Sequence, residues 1–152
     1  LNAYAAVEKA ARMSAKVGQY RDKKTGKVYE TYSETFTWEG TIGPDTDGVV
    51  ATVQSQDVTE HSIGKGAVQA DVQIQWDLPG TDLDLYVLDP AGTRVAESTQ
   101  WLPTTEQVTL TPDLWDRRDL PSGTYRVVAD GYLTVPQTYR GTLTVHYILR
   151  GR

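Results

Sequence analysis

Residues 67–76 read AVQADVQIQW, and this stretch decides the fold class. Apolar side chains recur there at every second position, with mostly polar residues between them: Val68, Ala70, Val72, Ile74 and Trp76. Successive side chains of a β-strand point to opposite faces of a sheet, so this period predicts a strand with one face in a core.

Shorter extended segments lie on both sides of this strand. Asp-Pro-Ala-Gly at 89–92 is a strong turn signal that follows an alternating segment. Strands are also predicted at residues 28–38, 39–42, 49–53, 83–87, 93–97, 107–111, 124–130 and 138–149. Short strands with turn signals every eight to twelve residues or so predict an antiparallel sandwich or barrel. We expect a mainly β, jelly-roll-like sandwich of about eight strands.

The first 27 residues have a different character. Residues 1–18 are Ala-rich with an apolar stripe at helical spacing, and we expect one α-helix that begins after Asn2 and ends at Gly18. Residues 19–27, QYRDKKTGK, are charged and predict a solvated linker, with a hairpin turn at 24–26 as the alternative.

Composition excludes several kinds of protein. The chain of 152 residues fits one domain, and it contains no Cys, which excludes disulfides and sulfur-ligated metal sites. Its net charge of -5 is unlike the basic footprint of a nucleic-acid-binding domain. No apolar run approaches the roughly 20 residues of a membrane span. The chain starts at Leu1 rather than Met, and we expect it to be a piece of a longer protein.

One acidic pair is a candidate cation site. Asp82 and Asp84 stand at i and i+2 in a predicted strand, so their carboxylates share a face opposite Leu83 and Leu85. Ca²⁺ would compensate their repulsion, and solvent with a neighbouring Arg or backbone donors is the alternative. The segment DTDG at 45–48 loosely resembles the start of a calcium loop, but it is also ordinary turn chemistry.

Aromatic residues are the candidate substrate contacts. Trp101 and Trp115 lie in predicted loops, where each could cover the end of the sandwich or anchor a ligand. Tyr86 and Tyr125 belong to a set of strand tyrosines that could line a face for extended polymer: Tyr86, Tyr125, Tyr132, Tyr139 and Tyr147.

The segments VQIQWD at 72–77, DLDLYVLDPAGTRVAES at 82–98 and SGTY at 122–125 occur in this order. Together with EGTI at 39–42 they resemble the bacterial pre-peptidase C-terminal domain over roughly residues 30–149. The resemblance implies a jelly-roll-like sandwich attached to a secreted peptidase or another exoenzyme. The related collagen-binding domains of clostridial collagenases share this architecture.

Residues 1–7, LNAYAAV, resemble the last helix of the catalytic domain of subtilisin-like serine peptidases. This resemblance implies a subtilase parent, with residues 1–18 as a catalytic-domain remnant, 19–27 as linker and 28–152 as the accessory domain. The family's Gly-Thr-Ser-Met-Ala motif does not occur, and neither does Gly-x-Ser-x-Gly.

No catalytic group is expected in this chain. A triad from His61, Ser62 and a remote Asp is conceivable, but we interpret His61 as a loop residue and His146 as a strand residue. We therefore expect a non-catalytic accessory domain of a secreted subtilisin-like peptidase, which stabilises, positions or targets the catalytic domain. Its expected partners are that catalytic domain and a protein or polymer substrate, with no nucleic acid and no membrane. Ca²⁺ is the one candidate cofactor. The alternative is a free-standing carbohydrate- or protein-binding β-sandwich.

Overall fold

The structure, a computed structural model, describes residues 16–43, 56–77, 82–100, 104–132 and 136–149. Within these ranges the chain forms nine β-strands: β1 (Lys16–Arg21), β2 (Val28–Ile42), β3 (Gln56–Ile63), β4 (Ala67–Trp76), β5 (Asp82–Leu88), β6 (Arg94–Ser98), β7 (Thr105–Leu110), β8 (Gly123–Tyr132) and β9 (Gln137–Ile148). The calcium-loop-like segment at 45–48 and the predicted strand at 49–53 lie outside the described residues, as does most of the predicted N-terminal helix.

The strands form two antiparallel sheets. One sheet has five strands in the order β1-β2-β9-β4-β7, and the other has four in the order β3-β8-β5-β6. From β2 onward the chain passes between the two sheets at almost every connection, and the result is the strand order of a jelly roll. The predicted mainly β, jelly-roll-like sandwich is confirmed, with β2–β9 as its eight strands and β1 as an added edge strand.

The alternating pattern in β4 determines which of its side chains enter the core. Val72, Ile74 and Trp76 are at most 1% exposed, while the glutamines between them are more accessible. Leu143 and Val145 of the neighbouring strand β9 are buried with them. The opposite wall of the core comes from β5 and β8 of the four-stranded sheet: Leu83, Leu85, Val87, Tyr125, Val127 and Ala129.

The predicted linker at 19–27 is wrong, and the alternative hairpin turn is right. Residues 16–21 form β1 and pair with β2, so the predicted helix cannot extend to Gly18. Asp22 organises the turn, because its side-chain Oδ1 accepts from the Lys24 N–H at 2.8 Å and its carbonyl accepts from the Gly26 N–H at 2.7 Å. Gly26 has a φ of 75°, a conformation that glycine adopts without strain.

His61 lies in a strand rather than in the predicted loop. Its strand, β3, pairs along its whole length with β8. His61 and Ile63, two residues apart, are 4% and 1% exposed. The polar sequence QDVTEHSI does not show the alternation of a core strand, because a histidine occupies one of its inward positions.

A single short helical segment occurs within the described ranges, the 3-10 turn Pro112–Trp115. No described helix combines the length and the hydropathy that a bilayer crossing requires.

One aromatic residue packs directly on a glycine of the neighbouring strand. Trp38 of β2 lies opposite Gly141 of β9. A Cβ added to Gly141 would stand 2.1 Å from Cε2 of the Trp38 indole, so only glycine fits beneath this ring. The ring of Trp38 thereby covers the β2–β9 pair and packs against the edge of the core.

Candidate functional site

Three carboxylates converge where β5 and β7 begin. Asp82 and Asp84 are the first and third residues of β5, and Glu106 is the second residue of β7. The two strands belong to different sheets. One oxygen from each of the three carboxylates lies within 4.8 Å of the others. The predicted acidic pair is therefore part of a larger cluster, to which the opposite sheet contributes a third member.

The two aspartates of this cluster are incompletely satisfied. Asp82 is only 8% exposed, and the Oδ1 atoms of Asp82 and Asp84 are both buried without a hydrogen-bond partner. Burial raises the pKa of the Asp82 carboxyl. Burial together with the charges of Asp82 and other acidic neighbours raises the pKa of Asp84 to about 6.

Glu106 is held in place by hydrogen bonds. It is 1% exposed, and it accepts from the Ser98 hydroxyl and from the Gln100 main-chain N–H, the latter at 2.9 Å. Burial raises the pKa of Glu106, against the opposing effect of these two donors. Ser98 ends β6 and Gln100 follows two residues later, so the end of β6 and the start of the next segment orient Glu106 toward the aspartates.

Glu106 was not predicted as a site residue. The sequence indicates its inward position only weakly: Glu106 stands two residues before Val108 and four before Leu110, so it shares their face of the strand. This phase places a carboxylate at an inward position of β7, which is unusual for a charged residue without a partner. The predicted strand at 107–111 began one residue too late to include it.

Tyr86 is a predicted substrate residue that the structure leaves partly accessible. It is half-buried on β5, and the Arg94 guanidinium lies 4.0 Å from the centroid of its ring. This contact has the geometry of a cation–π pair. Burial and the nearby Asp84 carboxylate raise the pKa of Tyr86. Tyr86 thus lies beside the carboxylate cluster.

Tyr125 is a core residue rather than a surface contact. It is 1% exposed, and its hydroxyl donates to the Pro121 carbonyl at 2.6 Å. Trp115 packs edge-on against the Tyr125 ring with 6.2 Å between ring centroids, and its Nε1–H donates to Asp89 Oδ2 at 2.9 Å. Trp115 therefore covers the core, as in one of its two predicted roles. Trp101 lies outside the described residues.

His61 is buried between the two sheets. Its ring packs against Trp38 with centroids 4.4 Å apart, and Nε2 is 2.9 Å from the Thr59 hydroxyl. Burial lowers the pKa of His61 to about 4. Ser62 follows it directly in the strand and points to the other face of the sheet, so Ser62 cannot serve as a nucleophile activated by His61.

His146 makes a different polar contact, on the five-stranded sheet. Its Nε2 lies 3.2 Å from Asp71 Oδ2, and the Thr109 hydroxyl donates to Asp71 Oδ1 at 2.8 Å. The Thr109 hydroxyl is thus hydrogen-bonded to the Asp71 carboxylate and not to the His146 imidazole. A catalytic triad requires the nucleophile to contact the histidine, so this group is not arranged as one.

Comparison with known proteins supports the fold assignment. No protein-family model matches the sequence, and no curated protein matches it. The chain is similar to the solved pre-peptidase C-terminal domain of a collagenase from Bacillus anthracis, with a TM-score of 0.52 and 13% identity, over 72% of this chain and 88% of that one. An identity this low shows a shared fold and no more.

Two further structures have lower similarity. A Bacillus endospore appendage protein from disulfide-linked pili has a TM-score of 0.49 at 12% identity, over 79% of this chain and 89% of that one. The Yersinia pseudotuberculosis-derived mitogen also has a TM-score of 0.49, at 9% identity, over 78% of this chain and 89% of that one.

Proposed function

We propose that this chain is a non-catalytic accessory domain of a secreted peptidase, of the subtilisin-like class, which positions the catalytic domain or targets it to protein substrate. The observation that carries the proposal is the jelly-roll sandwich similar to the pre-peptidase C-terminal domain of a collagenase. The LNAYAAV segment at residues 1–7 is the support for the subtilisin-like class.

The sequence segments that resemble the pre-peptidase C-terminal family occupy structural positions in the sandwich. Trp76 ends β4 in the core, the DLDLY segment opens β5, and DPAG forms the turn between β5 and β6. The turn is stabilised by Asp89, whose Oδ1 accepts from the N–H groups of Ala91 and Thr93 at 3.0 and 2.9 Å. These residues build the sandwich, which supports a scaffold role for the domain.

The polar face of the five-stranded sheet is the surface that we assign to substrate. Thr37, Thr142, Gln73 and Gln107 lie in register across four neighbouring strands, and Glu39 and Arg140 border the shallow groove along this row. Hydroxyl and amide groups in such a row can donate to and accept from the main chain of an extended polypeptide. This row replaces the tyrosine face that the sequence predicted, since Tyr125, Tyr139 and Tyr147 are buried.

Peptidase assays of the purified 152-residue chain test the non-catalytic role. We expect no hydrolysis of casein or gelatin. Hydrolysis that disappears in both His146→Ala and Asp71→Ala would overturn the proposal, because these two residues form the described His–Asp contact. The Asp113→Asn variant, which changes an exposed acid elsewhere, is the control.

Binding assays test the targeting role. We expect insoluble collagen or keratin to retain the chain, and the double variant Gln73→Ala/Thr142→Ala to be retained less, whereas Tyr86→Ala is retained like the wild type. Retention on glycans alone would contradict the proposal and favour a carbohydrate-binding module.

The coding sequence upstream should contain the Asp, His and Ser segments of a subtilase; their absence would remove the proposed parent enzyme.

A further inference from the structure

We propose that Asp82, Asp84 and Glu106 bind one Ca²⁺ ion, which joins the two sheets of the sandwich where β5 and β7 begin. The site does not depend on the accessory role proposed above, because it follows from the geometry of this chain alone. It extends the predicted Asp82 and Asp84 pair by a ligand from the opposite sheet.

The spacing of the three carboxylates suits a single ion. Their ligand oxygens lie within 4.8 Å of one another. Ca²⁺ binds oxygens at about 2.3–2.6 Å, so two oxygens on opposite sides of one ion stand about 4.6–5.2 Å apart. An ion between the three carboxylates would therefore need only small movements of the side chains. Water would complete the six to eight oxygen ligands that Ca²⁺ takes.

Two buried oxygen atoms lack the hydrogen bonds that a carboxylate needs in the absence of an ion. The Oδ1 atoms of Asp82 and Asp84 have no partner, and Asp82 is more than nine-tenths buried. An unsatisfied buried carboxylate oxygen is costly, and a cation is one of the few groups that satisfies two of them at once. These orphaned atoms point to a ligand independently of the clustering of acids.

The charged neighbours of the site supply no compensation. Within the described part of the chain, the charges that act on Asp84 all come from acidic side chains: Asp82, Asp130, Glu106 and Glu97. Arg94 lies nearby, but its guanidinium is placed over the ring of Tyr86. Among the described residues, neither an Arg nor a backbone donor is therefore bonded to the Oδ1 atoms of Asp82 and Asp84, and the charged groups around the site are mainly negative.

The ligand types select among metals. All three candidate ligands are carboxylate oxygens, which are hard donors that favour Ca²⁺ or Mg²⁺. Zn²⁺ prefers histidine and thiolate ligands, and the cluster contains neither. Mg²⁺ requires bonds of 2.0–2.1 Å and near-ideal octahedral geometry, as a general rule, so ligand oxygens up to 4.8 Å apart fit the longer Ca²⁺ bonds better.

Thermal unfolding of the full chain tests the site. We expect the Tm at pH 7.5 to be about 5 °C higher in 5 mM CaCl2 than in 1 mM EDTA, provided that the calcium is about 100-fold above its Kd. Isothermal titration of the metal-free chain with CaCl2 should give one site per chain. An equal Tm in EDTA and CaCl2, with no heat of binding, would overturn the proposal and leave proton sharing between the carboxyls as the explanation.

Substitutions at the site separate metal binding from structural damage. Asp84→Asn and Glu106→Gln each remove one of the mutually repelling charges, so in EDTA we expect each variant to melt at or above the wild-type temperature. In CaCl2 each should lose the stabilisation that the wild type gains. Asp113→Asn, an exposed acid in the 3-10 turn, is the matched control and should keep the full calcium response. A calcium response that survives in both site variants would contradict the proposed ligands.

Discussion

At the scale of single residues, His61 couples the stability of the domain to pH. Its folded-state pKa of about 4 lies below the ordinary value of 6.5 because its ring is buried against Trp38. The unfolded chain therefore takes up a proton before the folded chain does. The contribution that neutral His61 makes to the unfolding free energy is complete above pH 6.5, and it is lost as the pH falls toward 4.

Replacing His61 with Phe should remove this pH dependence. The difference of about 2.5 pKa units corresponds to about 3 kcal/mol of unfolding free energy, lost between pH 6.5 and pH 4. Urea unfolding of the wild type and of His61→Phe at a series of pH values gives two curves of unfolding free energy against pH. The difference between the curves cancels the contribution of the carboxylates that titrate in the same range. Parallel curves would contradict the buried neutral state of His61.

Gly141 is required because the Trp38 indole lies on its Cα. Gly141→Ala would place a Cβ 2.1 Å from the indole, so the ring must move out of its position over β9. We expect a loss of about 2 kcal/mol in unfolding free energy, as for other overpacked sites. Urea midpoints measure it. Gly64→Ala is the control, since its new Cβ would meet the nearest atom at an ordinary 3.7 Å, and a similar loss there would contradict this explanation.

Sequence reasoning identified two of the three carboxylates of the candidate site. Asp82 and Asp84 were predictable, since residues at i and i+2 of one strand share a face whatever the tertiary structure. Glu106 was not, because its approach to the aspartates depends on how β7 of one sheet packs beside β5 of the other. The burial of Tyr125 was not predicted for a related reason, because the periodicity of a strand does not show which of its two faces is covered by the opposite sheet.

At the scale of elements, strands with a strict period of two were predicted most accurately. β4 has the bounds that the alternation predicted, and the turn between β5 and β6 follows from its Asp-Pro-Ala-Gly signal. β1 and β3 were not predicted. β1 is charged and is stabilised by main-chain pairing with β2, and β3 carries a histidine at a buried position. β1 pairs with the next strand of the chain and β3 with the distant β8, and in neither case does the periodicity of the strand's own sequence reveal the pairing.

The 3-10 turn Pro112–Trp115 acts as a lid on the core. Trp115→Ala removes the ring that covers Tyr125 and leaves Asp89 Oδ2 without its indole donor, so we expect a loss of about 3 kcal/mol. Trp115→Phe keeps an aromatic ring and should cost only about 1 kcal/mol through the lost hydrogen bond. Chemical denaturation of both variants measures the two losses. An unchanged midpoint in Trp115→Ala would indicate an exposed binding anchor instead.

At the scale of the whole molecule, the strand order makes folding slow. β2 pairs with β9 from Thr31 opposite Ile148 to Ile42 opposite Gln137, so the centre of the five-stranded sheet joins distant parts of the chain. Long loops must close before these contacts form, and such β topologies fold in milliseconds to seconds or more slowly. We expect refolding on this timescale after stopped-flow dilution from urea. Complete refolding within about 100 microseconds would contradict it.

The same strand order should make unfolding cooperative. Both sheets contribute to one core, so neither can lose its partner and stay folded. Far-ultraviolet circular dichroism and tryptophan fluorescence should therefore give coincident urea transitions. Two separated transitions would mean that one sheet persists alone.

The added strand β1 also has a consequence for the behaviour of the protein in solution. It pairs with residues 28–33 of β2, the longest described strand, and so occupies hydrogen-bonding groups that would otherwise face outward. An unpaired edge is a template onto which another polypeptide can add a strand. A protease that cuts in the exposed turn at 22–27 and releases β1 would expose this edge of β2 and make the protein prone to self-association.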